Sequence, residues 1–328
     1  MAPYVPEKKA KEPITQRWWF WVVVALLAVS ILKSCGGEDA DVEPGAPRQD
    51  GIRVEETKPP EKKEEEAQKP SSESEEAPID EITVEEQIIV DQDGIKVTVK
   101  EYVSDPIWGD GIKLLIENDS DVDVTVGCRA LIVNNYMVGN IFAETVAAGK
   151  KVNSTLDFPT SDLKSAGITS VGQIEALFHV YNSDTYDDIF DTGLLTIKTS
   201  EFENMEVVKN DDGVELYKAD GIRIVGKYVD DDDVWGNAFL LYLENMTDKT
   251  IKVSADDVSI NGFMVQGIFS STLYPGKMAI DEVIVFDSEL EENDIEIIDE
   301  IELIFKIRDA EKFSSVLETE PITFQVSE

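Results

Sequence analysis

The stretch INGFMVQGIF, residues 260–269, has a near twin in VNNYMVGNIF, residues 133–142, 127 residues earlier in the chain. Each twin places two turn-forming residues, Asn261-Gly262 in the later copy, between short apolar runs. Asn and Gly accept the positive φ that both central positions of a type I′ turn require. The pattern predicts a duplicated β-hairpin, and because glycine suits this turn, we expect Asn135→Gly in the earlier copy to be neutral or mildly stabilising.

The duplication extends well beyond the hairpin. An offset of 127 residues aligns residues 93–200 with residues 220–327 without a gap. Matching landmarks include Asp93-Gly94-Ile95 with Asp220-Gly221-Ile222, Glu117-Asn118 with Glu244-Asn245, and Gly149-Lys150 with Gly276-Lys277. At this repeat length each copy is predicted to be a whole domain rather than a solenoid unit.

The periodicity within each copy is that of β-strands. In GIKVTVK, residues 94–100, apolar and polar side chains alternate, as in a half-buried strand. Turn residues recur at close intervals, and seven to nine short strands are expected in each copy of about 110 residues. The predicted fold class is therefore all-β, with two tandem immunoglobulin-like β-sandwich domains at residues 81–200 and 213–328.

One short helix is expected in each copy. TSDLKSAG, residues 160–167, offers Thr160 or Ser161 as its N-terminal cap and a glycine as its stop. DSELEEND, residues 287–294, offers Asp287 or Ser288 as its cap.

A membrane anchor is predicted near the N-terminus. WWFWVVVALLAVSIL, residues 18–32, is apolar and uncharged, and extension through residue 35 brings its length close to that of a membrane span. The leader, residues 1–17, is basic, so the positive-inside rule places the N-terminus in the cytoplasm and the domains outside the cell. Alternatively, LKSC resembles the site at which bacterial lipoproteins are cleaved, which would make Cys35 a lipidation site.

A long acidic linker follows the anchor. Residues 36–80 are rich in Glu, Lys, Pro and Ser and contain few large apolar side chains. Such a segment cannot bury enough apolar surface to offset its ordering entropy, so we expect a disordered tether.

The chain is strongly acidic, with a formal net charge of −39. Such a surface repels phosphate backbones, so a nucleic-acid partner is not expected. The charge either keeps the protein soluble or attracts Ca²⁺ or a basic partner.

The sequence provides no catalytic motif, and we predict neither an enzyme nor a cofactor. The single histidine, His179, lies on the polar face of a predicted strand, and we expect it to be partly exposed. Cys128, in TVGCRALIV, is interpreted as a small buried side chain rather than a reactive thiol.

Two groups of residues are weak candidates for binding. Asp230, Asp231, Asp232 and Asp233 form a tight acidic cluster that either remains solvated or holds a cation such as Ca²⁺. Trp108 and Trp235 each precede a glycine and a predicted central strand, where an indole either packs on the core or serves recognition.

The chain resembles a group of Gram-positive bacterial surface proteins with a basic leader, an aromatic-rich membrane span, an acidic linker and Ig-like domains of unknown function (DUF4352-like). The membrane span is RWWFWVVV, and the motifs that carry the resemblance are NGFMVQGIF, the Pro/Ala-Gly-Lys turn and IEALFHVYNSD. The resemblance implies a fold and no catalytic residues. Its bacterial character makes the Asn-x-Ser/Thr patterns at Asn118, Asn153 and Asn245 incidental.

The expected function is that of a membrane-tethered, extracellular, non-catalytic binding or scaffold protein. Its partner would be an unidentified extracellular protein or cell-wall component, engaged through loops or a sheet edge. The alternative is an accessory or sensor subunit of a cell-envelope enzyme or transporter complex.

Overall fold

The computed structural model describes residues 81–105, 109–230, 237–312 and 316–325. These residues form β-strands and two six-residue helices, which confirms the predicted all-β class. All of them belong to one compact unit. The leader, the predicted anchor and the acidic linker lie outside the described residues, and within those residues no helix is long and apolar enough to span a membrane.

The first repeat, as described, contains ten strands and one helix. These are β1 (Gln87–Gln92), β2 (Ile95–Asp105), β3 (Gly109–Asn118), β4 (Val124–Val133), β5 (Tyr136–Val138), β6 (Ala143–Val146), β7 (Lys150–Phe158), α1 (Thr160–Ser165), β8 (Gln173–Asn182), β9 (Asp188–Asp191) and β10 (Leu195–Lys198).

In its described part the second repeat contains eleven strands and one helix. These are β11 (Val214–Ala219), β12 (Ile222–Asp230), β13 (Asn237–Asn245), β14 (Ile251–Ile260), β15 (Phe263–Met264), β16 (Gly267–Ile268), β17 (Ser270–Leu273), β18 (Met278–Val285), α2 (Asp287–Glu292), β19 (Glu300–Asp309), β20 (Val316–Glu318) and β21 (Ile322–Gln325). Every element of the first repeat has a counterpart about 127 residues later, and β16 is the additional strand.

The strands form three sheets, one of which continues from the first repeat into the second. A four-stranded sheet has the order β1-β2-β3-β7, and a six-stranded sheet contains β14, β15, β17, β19, β20 and β21. The eleven-stranded sheet combines β4, β5, β6, β8, β9 and β10 with β11, β12, β13, β16 and β18. The two groups meet where β5 pairs with β18, which is the one parallel pairing among the described strands.

Each repeat has its own apolar core. The first core contains side chains of β2, β3 and β7 from the four-stranded sheet and of β4, β8 and β10 from the long sheet. Ile95, Val97 and Val99 are fully buried in it, as the alternation in β2 predicts. The second core likewise combines side chains of β12, β13 and β18 with those of β14 and β19.

The two helices occur where they are predicted, but their caps differ from the prediction. The N-cap positions are Pro159 and Phe286, and neither helix has a side-chain capping bond there. Thr160 and Asp287 are already the first helical residues, so the predicted caps Thr160 or Ser161 and Asp287 or Ser288 are wrong. The cause is that a single residue separates each helix from the preceding strand, β7 or β18, and this residue occupies the N-cap position.

Two buried asparagines hold equivalent turns in the two repeats. Asn118 donates from Nδ2 to the carbonyls of Val122 and Val146, both at 2.8 Å, and its Oδ1 accepts from Ser120. Asn245 makes the same bonds with residues 249, 273 and 247, and both side chains are fully buried. The Asn-x-Ser/Thr patterns at these positions therefore serve the fold, because their polar groups pair with the turn.

Candidate functional site

Both predicted hairpins contain the type I′ turn. The φ values are 45° and 75° at Asn134 and Asn135, and 51° and 82° at Asn261 and Gly262. The flanking pairs are Val133 with Tyr136 and Ile260 with Phe263, so two residues form each loop. We call residues 134–138 the first hairpin and residues 261–264 the second hairpin.

The first turn residue of each hairpin also fixes the start of a neighbouring strand. Asn134 donates from Nδ2 to the Ser170 carbonyl at 2.7 Å, and its Oδ1 accepts from the amides of Gly172 and Gln173. Asn261 makes the corresponding three bonds with residues 297, 299 and 300. The shared geometry gives both hairpins the same position relative to their own repeats.

The first hairpin is buried against the second repeat. Tyr136 and Met137 of β5 lie beside Met278 and Ala279 of β18 in a parallel pairing. The Met278 amide donates to the Asn135 carbonyl at 3.1 Å. This pairing extends the long sheet across the boundary between the repeats, so the hairpin acts as a connecting edge strand.

Asn135 contributes its side chain to this junction. Its Nδ2 donates to the Gly276 carbonyl at 3.0 Å, and its Oδ1 accepts from the Lys277 ammonium at 3.0 Å. In the full chain Asn135→Gly would remove these two hydrogen bonds between the repeats, so we expect it to be destabilising there rather than neutral. Turn geometry alone does not determine the choice of residue at this position.

An ion pair lies beside the turn. The Lys277 ammonium contacts the Glu175 carboxylate of β8, and the two side chains are only 12% and 11% exposed. Because both side chains have little access to water, loss of either one would leave the charge of the other shielded and unpaired, which is destabilising. Lys277 thus binds two groups of the first repeat, the Glu175 carboxylate and the Asn135 amide oxygen.

A small apolar cluster completes the junction. It combines Tyr136 and Ala166 of the first repeat with Val225, Tyr242 and Met278 of the second. The Tyr136 hydroxyl donates to the carbonyl of residue 208 and accepts from the amide of residue 210. It therefore also holds the segment that connects the two repeats. The junction therefore combines sheet pairing, an ion pair and apolar burial.

The second hairpin has no such neighbour in the described part of the chain. Its β15 pairs with β14 alone. Phe263 and Met264, the counterparts of Tyr136 and Met137, are 47% and 64% exposed. Ile297, whose carbonyl accepts the Asn261 bond, is also exposed. An edge strand with outward apolar side chains is the candidate functional site of this protein.

The structure does not describe most of the site residues predicted from the sequence. Trp108, Trp235, Asp231, Asp232, Asp233 and Cys35 fall outside the described residues, and Asp230 is the last residue of β12. Among the residues that the structure does describe, no cluster of three or more His, Cys, Asp or Glu side chains is placed to hold a metal ion. The cation and tryptophan hypotheses therefore remain predictions.

His179 is partly exposed, as predicted, and belongs to a network of polar contacts. Its Nδ1 lies 2.6 Å from Asp191 and its Nε2 lies 3.3 Å from Asp188. Arg129 contacts the other oxygen of Asp191 at 2.6 Å, and Tyr181 stacks on the imidazole. The network links β4, β8 and β9, so the imidazole has a structural role.

Cys128 is partly buried and packs against the first core, whereas the sequence predicted a buried side chain. Its thiol donates to the Ala130 carbonyl at 3.1 Å. Burial raises the pKa of the thiol to about 12, since the thiolate would lose its hydration there. The thiol is therefore protonated at neutral pH and is a poor nucleophile.

The sequence contains signals of the junction that sequence reasoning did not use. Asn135 and Gly262 differ at one position of otherwise similar turns, and Tyr136 has a hydroxyl that Phe263 lacks. These differences mark the copy whose hairpin makes polar contacts. They could be interpreted only once the partner surface was known.

Comparison with known proteins identifies no family. No protein-family model and no curated protein matches the chain. Among solved structures, the YadV chaperone is similar at 11% identity and a TM-score of 0.22, over 66% of this chain and 91% of that one. A protein of unknown function from Porphyromonas gingivalis W83 is similar at 11% identity and a TM-score of 0.21, over 69% and 96%.

Proposed function

We propose that the protein is a non-catalytic binding or scaffold protein, tethered to the membrane and presenting two Ig-like β-sandwich domains outside the cell. The observation that carries the proposal is the exposed second hairpin, whose twin in the first repeat is buried against another β-sheet edge. Among the described residues, the same structural element thus occurs once with a strand of the other repeat beside it and once without one.

The strand pattern supports the Ig-like part of the proposal. Each repeat contains a core between strands of two sheets, and antiparallel pairing predominates. Two packed antiparallel sheets of short strands are the basis of an Ig-like sandwich.

The state of the two reactive groups supports a non-catalytic role. Both ring nitrogens of His179 lie against carboxylates, those of Asp188 and Asp191, so neither nitrogen is open to a substrate. The raised pKa of Cys128 makes its thiol a poor nucleophile. The exposed hairpin instead offers backbone groups and apolar side chains, which suit the addition of a strand from a partner.

Photo-crosslinking on intact cells tests the binding role. A benzophenone amino acid at position 264 should form a protein adduct, whereas the same probe at Met246, which is similarly exposed at 54%, should not. If position 264 gives no protein adduct, or none beyond the control, the binding role of the second hairpin is contradicted. An adduct with a subunit of an envelope complex would favour the accessory-subunit function.

Mass spectrometry of the native protein tests the tether. We expect an intact N-terminus and an unmodified Cys35, because the basic leader and the apolar run fit an uncleaved span. A diacylglyceryl group on Cys35 would contradict the spanning anchor and support the lipoprotein alternative.

A further inference from the structure

We propose that the second hairpin binds the first repeat of a second copy of this chain, so that molecules assemble head to tail. The inference rests on the proposed binding role of that hairpin and specifies the partner. Its template is the junction inside one molecule, where the first hairpin binds the edge of β18. Because the repeats are duplicated, the edge that corresponds to β18 is β7 of the first repeat.

The strand edges needed for the intermolecular contact are both present. In one molecule Tyr136 and Met137 lie beside Met278 and Ala279. At the same offset, Phe263 and Met264 would lie beside residues 151 and 152 of the second copy. In the described structure β7 has a strand partner on its β3 side alone, and β15 on its β14 side alone.

The charges needed for the contact recur as well. Lys277 pairs with Glu175 inside the molecule, and their counterparts are Lys150 and Glu302. Both counterparts are exposed on the surface, in contrast to the shielded internal pair. Docking of the second hairpin on a second copy would bring this lysine and this glutamate together at the position of the internal pair.

The new contact would be weaker than the internal junction. Lys151 and Asn153 stand where the internal junction has Met278 and Ile280, so less apolar surface is available. The net charge is about −12 for residues 81–200 and about −21 for residues 201–328, which adds repulsion between copies.

The assembly does not need to close into a dimer, since a heterologous contact of this kind propagates from copy to copy. We therefore expect assembly when copies are concentrated on a surface.

Isotope-mixed crosslinking tests the inference. Full-length chains labelled with ¹⁴N and ¹⁵N are reconstituted together in liposomes at physiological ionic strength, with the benzophenone probe at position 264. We expect mixed-isotope adducts between the probe and residues 150–154. Adducts that contain one isotope only, or that lie elsewhere on the chain, would overturn the head-to-tail contact.

Charge reversal supplies the matched controls. Lys150→Glu or Glu302→Lys should each reduce the mixed-isotope yield by about fivefold, whereas the double exchange should restore most of it. Lys252→Glu makes the same charge change at an exposed position on β14 and should leave the yield unchanged. Circular dichroism of each variant confirms that the sheets are retained. Failure of the double exchange to restore the yield would contradict the proposed ion pair.

The two proposals can fail separately. If position 264 captures a different protein on intact cells and no second copy in liposomes, the binding role stands and the second-copy inference falls. If position 264 captures no protein in either setting, both are contradicted.

Discussion

Residues 135 and 262 occupy the same turn position, and their difference shows what one side chain contributes. Both have positive φ, so backbone geometry favours Gly or Asn at each. Asn135 additionally bonds the Gly276 carbonyl and the Lys277 ammonium, whereas a Cβ at Gly262 would meet no atom within 4 Å. The first position serves a contact between repeats, while the second serves only the turn.

Gly262→Val should therefore destabilise the protein through backbone strain alone. A β-branched residue at a φ of 82° is strained, and we expect a loss of about 1–3 kcal/mol in the free energy of unfolding. Denaturant unfolding of the full chain measures it. A variant that unfolds at the parent's midpoint would show that the turn relaxes out of the type I′ geometry.

Asp281 should make stability depend on pH. Burial raises the pKa of this carboxyl, and the nearby Asp162 carboxylate raises it further. The folded state therefore holds the proton more tightly than the unfolded state, so stability falls as pH rises from the ordinary Asp pKa through the raised value. Below the ordinary pKa both states are protonated, and the effect is absent.

Asp281→Asn removes this dependence. An amide oxygen can still accept the bond from the Glu282 amide. We expect the variant to gain stability relative to the parent as pH increases from 3 to 7, as measured by thermal melts across that range. A difference between the two proteins that stays constant with pH would show that Asp281 does not titrate in this way.

At the scale of elements, buried asparagines hold the turns that give both repeats the same shape. Asn245 bonds the carbonyls of residues 249, 273 and 274 and the hydroxyl and amide of residue 247. Its loss would remove these five hydrogen bonds from a buried turn. The sequence marks this position only as an Asn-x-Thr pattern, which indicates nothing about burial.

Asn245→Ala should cost about 2–4 kcal/mol of the free energy of unfolding, since a fully buried network is broken. Asn153→Ala provides the control, because Asn153 also lies in an Asn-x-Thr pattern but is exposed, and its loss should change stability by less than about 0.5 kcal/mol. Chemical denaturation of both variants makes the comparison. Equal effects of the two exchanges would contradict the role assigned to the buried network.

At the scale of the whole molecule, the sequence predicts the strands better than the contacts between repeats. The strands follow from alternation and from turn residues such as Asn261-Gly262, which act locally. The junction does not follow, because Lys150 and Glu302 have the same residue types as Lys277 and Glu175. Only the three-dimensional arrangement shows which hairpin is covered, so the exposed edge could not be predicted.

The central claim is that one hairpin is covered and its twin is exposed, and methionine oxidation tests it directly. Met137 and Met264 occupy the same position in the twin stretches, with Met137 packed at the junction and Met264 64% exposed. Dilute full-length chain is treated with hydrogen peroxide, and sulfoxide formation at each residue is followed by mass spectrometry. Met246, at 54% exposure, and Met278, at 2%, provide the exposed and buried references. We predict that Met264 oxidises as fast as Met246 while Met137 oxidises several-fold more slowly; equal rates at Met137 and Met264 would contradict the claim.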